Sequence, residues 1–290
     1  MAEGGQSDTR SVTAALSGTP IADEYRRVES ALRQCQPIAH TFDPSIYPPQ
    51  VIEKARRWWL GMMRTEYESA TGFIDLATQV REIAAPFDVQ TVLLRMAQDE
   101  LRHAAICAQV IEGLGGEATF AALPLQRSML HPDCTPDESV LRTIIYGCCL
   151  GETVNAARLM KQVGEVREPF VREAFRLLLA DERLHAQFGF HYLESRRAWL
   201  EARPTITRSL GRYLHYGFAS LEQYMGVVPA DAHPPTEPER RIGLPDLTEL
   251  SATFQETILN ASIPGLERFG IDAMAAWRGR TMNRSSAPKI

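Results

Sequence analysis

Two stretches of the chain read Asp-Glu-x-x-His: Asp99-Glu100-Leu101-Arg102-His103 and Asp181-Glu182-Arg183-Leu184-His185. On an α-helix a Glu and a His three residues apart share one face, so both members of each pair can reach one metal ion. One Glu-x-x-His carries little, because an exposed pair is only a solvated salt bridge. Two copies among apolar neighbours carry more. Met96, Ala97, Ala104 and Val110 surround the first; Leu178, Leu179, Ala186, Phe188 and Gly189 surround the second. An ionised carboxylate on an apolar stripe is costly unless its charge is compensated. Glu66, among Met62, Met63, Ala70 and Phe73, repeats that anomaly, and so does Glu152, among Ile145, Cys148, Cys149, Ala156 and Leu159. Glu68, beside Glu66, shares a face with Arg64 and Asp75 and reads as solvent-facing. The charge of four carboxylates, joined by two imidazoles, is balanced by two divalent cations. Taken singly, Glu66 and Glu152 also read as buried partners of a core arginine such as Arg158, and His103 and His185 as satisfied core histidines.

Six such residues converge only if helices carry them. The stripe Trp58, Trp59, Met62, Met63, Ala70, Phe73, Ile74 and Ala77 predicts an amphipathic helix from Pro48 onward, broken near Pro86 and Asp88. A second helix runs from about Val89 to Leu114 and is closed by Gly115-Gly116. Residues 117–136 hold Pro124, Pro132 and Pro136 and must be a long connection. A third helix starts at Pro136, with Thr135 as N-cap and Glu138 as capping-box partner, and reaches Val163. The fourth spans Pro169 to about Glu201 and the fifth Pro204 to Met225. A proline-rich loop (226–246) and two further helices near 247–262 and 264–278 follow, then a polar tail. Nowhere is there a β-branched, period-two run bounded by turns, so the expected class is all-α. Short links make two antiparallel hairpins, and the 115–136 segment crosses between them, as in bundles with one crossover. The expected organisation is an N-terminal arm (1–45) with one helix around Ile21–Cys35, a helical bundle (46–225), and a C-terminal helical extension (226–290) packed on it.

A formal charge of −5 gives no basic footprint for nucleic acid. Cys35, Cys107, Cys134, Cys148 and Cys149 lack C-x-x-C spacing, which argues against a zinc ribbon or a disulfide scaffold and for a reducing compartment. Met1 to Arg10 are polar and small, unlike a secretion signal, and no apolar run approaches the ~18 residues of a membrane span. A cytoplasmic protein is expected.

The order Glu…Glu-x-x-His…Glu…Glu-x-x-His, over about residues 50–200, resembles the ferritin-like di-iron carboxylate superfamily. Glu66, Glu100, His103, Glu152, Glu182 and His185 each match one of that family's six ligands. The resemblance implies a ferritin-like four-helix bundle holding two Fe ions (Mn or a mixed Mn/Fe pair being acceptable to the same ligands) with O2 as co-substrate. It also implies bridging carboxylates, either Glu100 with Glu152 or Glu66 with Glu182. Asp99 and Asp181 resemble the aspartates of bacterial multicomponent monooxygenases, which accept a hydrogen bond from a ligand histidine; plain surface solvation is their other reading. The stretch Ile263-Pro264-Gly265-Leu266-Glu267-Arg268-Phe269-Gly270, with Ala275-Ala276-Trp277, resembles the C-terminal end of bacterial ferritin-like domain-containing proteins. That subgroup is mostly without assigned chemistry.

The function so implied is a di-iron oxygenase acting on a small organic substrate, plausibly in specialised metabolism. Without a flavin or nicotinamide fingerprint it needs an external electron donor. The arm and the C-terminal helices cap the bundle or build a homodimer interface. Ferroxidase activity is the alternative, opposed by three additional helices and the lack of a strongly acidic surface. Arylamine N-oxygenases are similar in plan but carry a seventh ligand, a histidine one turn before the fourth-helix Glu; Leu178 stands there, and His191 lies off the ligand face. A tRNA substrate lacks its basic patch, and a metal kept only as a structural staple fits a full six-ligand set poorly. Tyr67, Tyr146, Phe188 and Tyr192 fall near ligand faces, as a cavity lining or as ordinary core. Met62, Met63, Met96 and Met160 read as gap-filling core, Cys148 and Cys149 as neighbours rather than ligands, and Arg102 and Arg183 as outward-facing or as partners of the ligand shell.

Overall fold

The computed structural model describes residues 9–11, 38–121 and 131–280. The predicted arm helix around Ile21–Cys35 and the polar tail from 281 lie outside these residues. Helix α1 (Pro49–Glu82) opens on a proline, whose missing N–H costs nothing in a first turn. Helix α2 (Phe87–Gly113) ends where Gly115 takes φ +72°, letting the Gly116 N–H reach the Ile111 carbonyl at 2.9 Å. Helix α3 (136–165) is unbroken, but its middle, Ile145–Glu152, is π-helical between α-helical Pro136–Ile144 and Thr153–Glu165. Thr135 caps it as expected, accepting from the Glu138 N–H at 3.3 Å. The reciprocal half of the capping box does not form. The Glu138 carboxylate instead takes hydrogen bonds from Arg142 Nη2 and Ser209 Oγ, both at 2.6 Å.

The expected fourth helix divides at Arg196 into α4 (Pro169–Ser195) and α5 (Arg197–Glu201). Helix α6 (204–226) finishes in a π-helical turn, Glu222–Gly226. The proline-rich loop contains a short helix, α7 (Glu237–Arg241), whose Thr236/Glu239 capping box escaped the sequence reading. Helix α8 (247–267) runs through the point where two helices were expected to part. A π-helical turn, Ile258–Ser262, precedes Pro264, whose lost N–H would break a regular helix. The break falls later, at Gly270 (φ +72°), before α9 (Ala273–Arg278). The described residues are all-α but for one ribbon: β1 (Thr9–Ser11) pairs antiparallel with β2 (Thr119–Ala121). Three residues a side are too few for an alternation signal.

The helices pair in a definite sense. Arg56 Nε donates to the Leu114 carbonyl at 2.9 Å and Gln90 Nε2 to the Ala77 carbonyl at 3.0 Å, so α1 and α2 are antiparallel. Arg196 Nη2 meets Asp137 Oδ1 at 2.6 Å across antiparallel α3 and α4. The C-terminal part of α1 (Phe73, Leu76, Ala77, Val80) clusters with the start of α3 (Val140, Leu141, Ile144). Helices α2 and α3 therefore run the same way, and residues 114–135 must connect opposite ends.

The core is in two parts. One gathers Trp59, Met63, Ile106, Val110, Phe175 and Leu178, with the Trp59 and Phe175 ring centroids 4.8 Å apart. The other gathers Phe73, Met96, Leu141 and Leu193 with Phe218, Phe254 and Trp277, so the C-terminal helices share it with the bundle. Each large side chain so buried stabilises by about 1.5–3 kcal/mol. The divide falls between Met63 and Phe73 on α1, Ala97 and Ala104 on α2, and Leu178 and Tyr192 on α4. In those gaps lie Glu66, Glu100 with His103, and Glu182 with His185.

Near this level α3 and α4 approach closely. A Cβ on Gly189 would lie 2.7 Å from Cys149 Sγ and 2.9 Å from the Cys149 backbone nitrogen. Gly189→Ala is expected to destabilise the protein by about 1–3 kcal/mol through overpacking. Chemical denaturation checks this; an unshifted midpoint would mean the two helices part freely.

Candidate metal centre

All six residues expected to bind metal meet in one buried place. Two groups form, Glu66, Glu100, His103 and Glu182, and Glu100, Glu152, Glu182 and His185; within each, one ligand atom per residue lies within 4.8 Å of the others. Glu100 and Glu182 belong to both. Glu100 with Glu182 is a pairing that the resemblance did not name. The shared carboxylates are the two that precede the histidines, because their helices, α2 and α4, are direct neighbours.

The arrangement is nearly symmetric. His103 Nδ1 faces Glu182 Oε1 at 3.3 Å and Glu66 Oε2 at 3.4 Å. His185 Nδ1 faces Glu100 Oε1 at 3.0 Å and Glu182 Oε2 at 3.6 Å. Phe73 packs edge-on against the His185 ring at 5.6 Å. His103 and Glu182 are fully buried, Glu100 and His185 are 1% exposed, and Glu66 and Glu152 are 6% and 9% exposed. Glu100 Oε1, both Glu182 oxygens and both Nδ1 atoms have no well-directed hydrogen bond. Orphaned buried polar atoms normally cost about 1–3 kcal/mol each. Five converging on one point, hard oxygens with two imidazole nitrogens, fit a pair of divalent cations of the Mn, Fe or Zn type.

The outward Nε2 atoms meet Asp99 and Asp181, but crosswise. His103 on α2 contacts Asp181 Oδ2 on α4 at 3.1 Å, and His185 on α4 faces Asp99 Oδ2 on α2 at 3.6 Å. A residue one before each Glu is turned about 100° from it, toward the neighbouring helix. Neither aspartate is a solvated surface group. Arg102 lies between them, 9% exposed, bonded to Asp99 Oδ1 at 3.1 Å and to Asp181, while Arg95 Nε holds Asp99 Oδ1 at 2.9 Å. Burial works against the Asp99 charge, but His185 and these arginines hold its carboxyl below the usual range. Arg183, one residue after its Glu where Arg102 stands two after, is exposed, as is Leu184 in the place that matches Arg102.

Other expectations fare unevenly. Arg158 pairs with neither Glu66 nor Glu152; its Nη2 donates to the Met225 carbonyl and, at 3.4 Å, to the Leu250 carbonyl. Met63 and Met96 are core, whereas Met160 is 61% exposed. Tyr67 is 43% exposed and meets Phe120 edge-on instead of facing the centre. Tyr146 approaches Ser220 Oγ at 3.3 Å, and Tyr192 belongs to the apolar core beside half-buried Phe188. Leu178 is fully buried among apolar neighbours and His191 is exposed. The π-helical stretch ending at Glu152 had no signature in the apolar spacing that could have revealed it.

Protons do in the metal-free protein what cations would do. Burial opposes charge on both imidazoles, yet facing carboxylates overcome it. Glu182 and Glu66 push His103 up to about 10. Asp99, Glu100 and Glu182 push His185 up to about 12. Burial likewise opposes the Glu182 charge, but contacts with both histidines hold its carboxyl well below the usual range. Burial and the neighbouring Glu182 push Glu100 up to about 8 and Glu152 well upward. Ions entering here must displace protons. Zinc uptake at neutral pH is expected to release at least the two imidazole protons, and metal affinity to climb with pH from 6 to 8. Titration with Zn(II) in unbuffered solution measures this, and pH-independent loading would contradict it.

No family model, curated protein or solved structure matches the chain. No helix among the described residues is long and apolar enough to cross a membrane.

Proposed function

We propose that this chain is a di-iron oxygenase on a ferritin-like four-helix bundle, oxidising a small organic substrate with electrons from a separate donor. One observation carries the reading: two four-residue groups interlock through Glu100 and Glu182, which suits two adjacent ions rather than one. Helix directions agree, since α2 and α3 are parallel and need the long crossover of such bundles. Bound iron at these N/O ligands supplies reductive activation of dioxygen.

The chain's own residues prepare that chemistry. The Nε2 contacts of His103 and His185 leave each Nδ1 free to bind metal, a tautomer that outward aspartates favour. Met63, Phe73, Met96 and Leu178 line the levels above and below the carboxylates and keep bulk water out. Leu178, where N-oxygenases have a histidine, argues against arylamine N-oxygenation.

The test is anaerobic loading with Fe(II), metal counting, and oxygen uptake on an electrode. Two irons per chain are expected, with uptake that stops after one event per pair and resumes when a reductant is added. Continued oxidation of many irons per chain would replace this reading with ferroxidase activity. A folded chain that takes no iron would end both.

A further inference from the structure

We infer that the two metal positions are unequal, and that the one built on Glu66 and His103 is filled first. The inference rests on the two-ion reading of the centre but not on its oxygen chemistry. Three differences between the halves point one way.

The imidazoles are anchored unequally. His103 Nε2 has a proper hydrogen bond to Asp181 Oδ2 at 3.1 Å, and Arg102 holds that aspartate. His185 Nε2 stands 3.6 Å from Asp99 Oδ2, beyond hydrogen-bond range, and keeps only an ion-pair contact with it. The other Asp99 oxygen is drawn away by Arg95 Nε at 2.9 Å and Arg102 Nη2 at 3.1 Å. Such outer contacts fix ring orientation and ligand basicity, and losing one typically costs about 10–100-fold in metal affinity.

The unshared carboxylates differ as well. Glu66 comes from the middle of an uninterrupted 34-residue α-helix, whereas Glu152 is the last residue of the π-helical stretch. Helix α1 packs against the first part of α3, Pro136–Ile144, more closely than against anything beyond it. Glu152 is also the most exposed of the six ligands, at 9%. Glu66 thus stands on regular helical backbone, whereas Glu152 ends an irregular stretch whose backbone hydrogen bonding departs from the α pattern.

Anaerobic titration with Mn(II), followed by electron paramagnetic resonance, reads the order directly. The first equivalent is expected to give a mononuclear signal, and the second to convert it into a coupled pair, with affinities about 10–100-fold apart. Glu152→Gln should keep the tight step and lose the weak one. Glu66→Gln should lose the tight step, and Asp181→Asn should weaken it while leaving the weak step in place. Circular dichroism melting of each metal-free variant checks that the fold survives. Wild-type loading of both ions in one step, or a tight step lost in Glu152→Gln and kept in Glu66→Gln, overturns the inference. Failure of the oxygen reading would appear elsewhere, as two ions bound in sequence without oxygen uptake.

Discussion

Glu182→Ala is expected to abolish binding of both metal ions, whereas Glu66→Ala should leave one. Glu182 is the fully buried member of both ligand groups, so no ion can keep its coordination without it. Binding to the native state stabilises by about 4 kcal/mol per ion when free metal exceeds its Kd a thousandfold. The wild type should show that gain and the variant should not. Removing the carboxylate also strands His103 and His185, whose protonated forms it stabilises. Breaking a buried charge pair from one side costs about 3–5 kcal/mol, so the metal-free variant should itself be weakened. Equilibrium dialysis against Zn(II) and urea denaturation measure the two effects. Glu182→Gln, which keeps the shape, separates them. Two zinc ions retained by either variant would remove Glu182 from the centre.

The second large effect is expected at Arg102. Its guanidinium is 9% exposed and joins Asp99 to Asp181, themselves 7% and 13% exposed. Arg102→Met leaves two largely buried carboxylates with only Arg95 and the histidines for compensation. A loss of about 3–5 kcal/mol in the metal-free protein is expected, with metal affinity down about 10–100-fold as Asp181, the anchor of the His103 ring, loses its own support. Arg102→Lys restores the charge but not the planar fork, and should recover only part of either loss. Denaturation and metal titration of both variants check this. Wild-type affinity in Arg102→Met would show that the aspartates hold the rings unaided.

What could be read before the fold was known follows from where the information sits. The meeting of these six residues was legible because burying charge on an apolar stripe is costly enough to stand out at Glu66 and Glu152, and because Glu-x-x-His spacing is a local property of one helix. Helix ends near Pro48, Thr135 and Gly115 were legible for the same local reasons. That Glu100 and Glu182 belong to both groups was not, since it depends on which helices are neighbours. Nor was the π-helical stretch, because Ile145, Cys148 and Cys149 are apolar all round and fix no period. The contrast between Arg102 and Arg183 is local: one stands two residues after its Glu and the other only one, about 100° round the helix. Met160 illustrates the reverse error, an apolar residue read as core that sits about 100° round the helix from buried Leu159 and faces outward.

The crossed pairing of histidines and aspartates ties the histories of two helices together. A change that slides α2 by a fraction of an ångström displaces His103 itself and also Asp99, against which His185 rests; a shift of α4 does the converse. Neither strand of this pair can drift alone. Substitutions along α2 and α4 should be tolerated mainly in compensating sets, while α1, which supplies a single carboxylate, is less constrained.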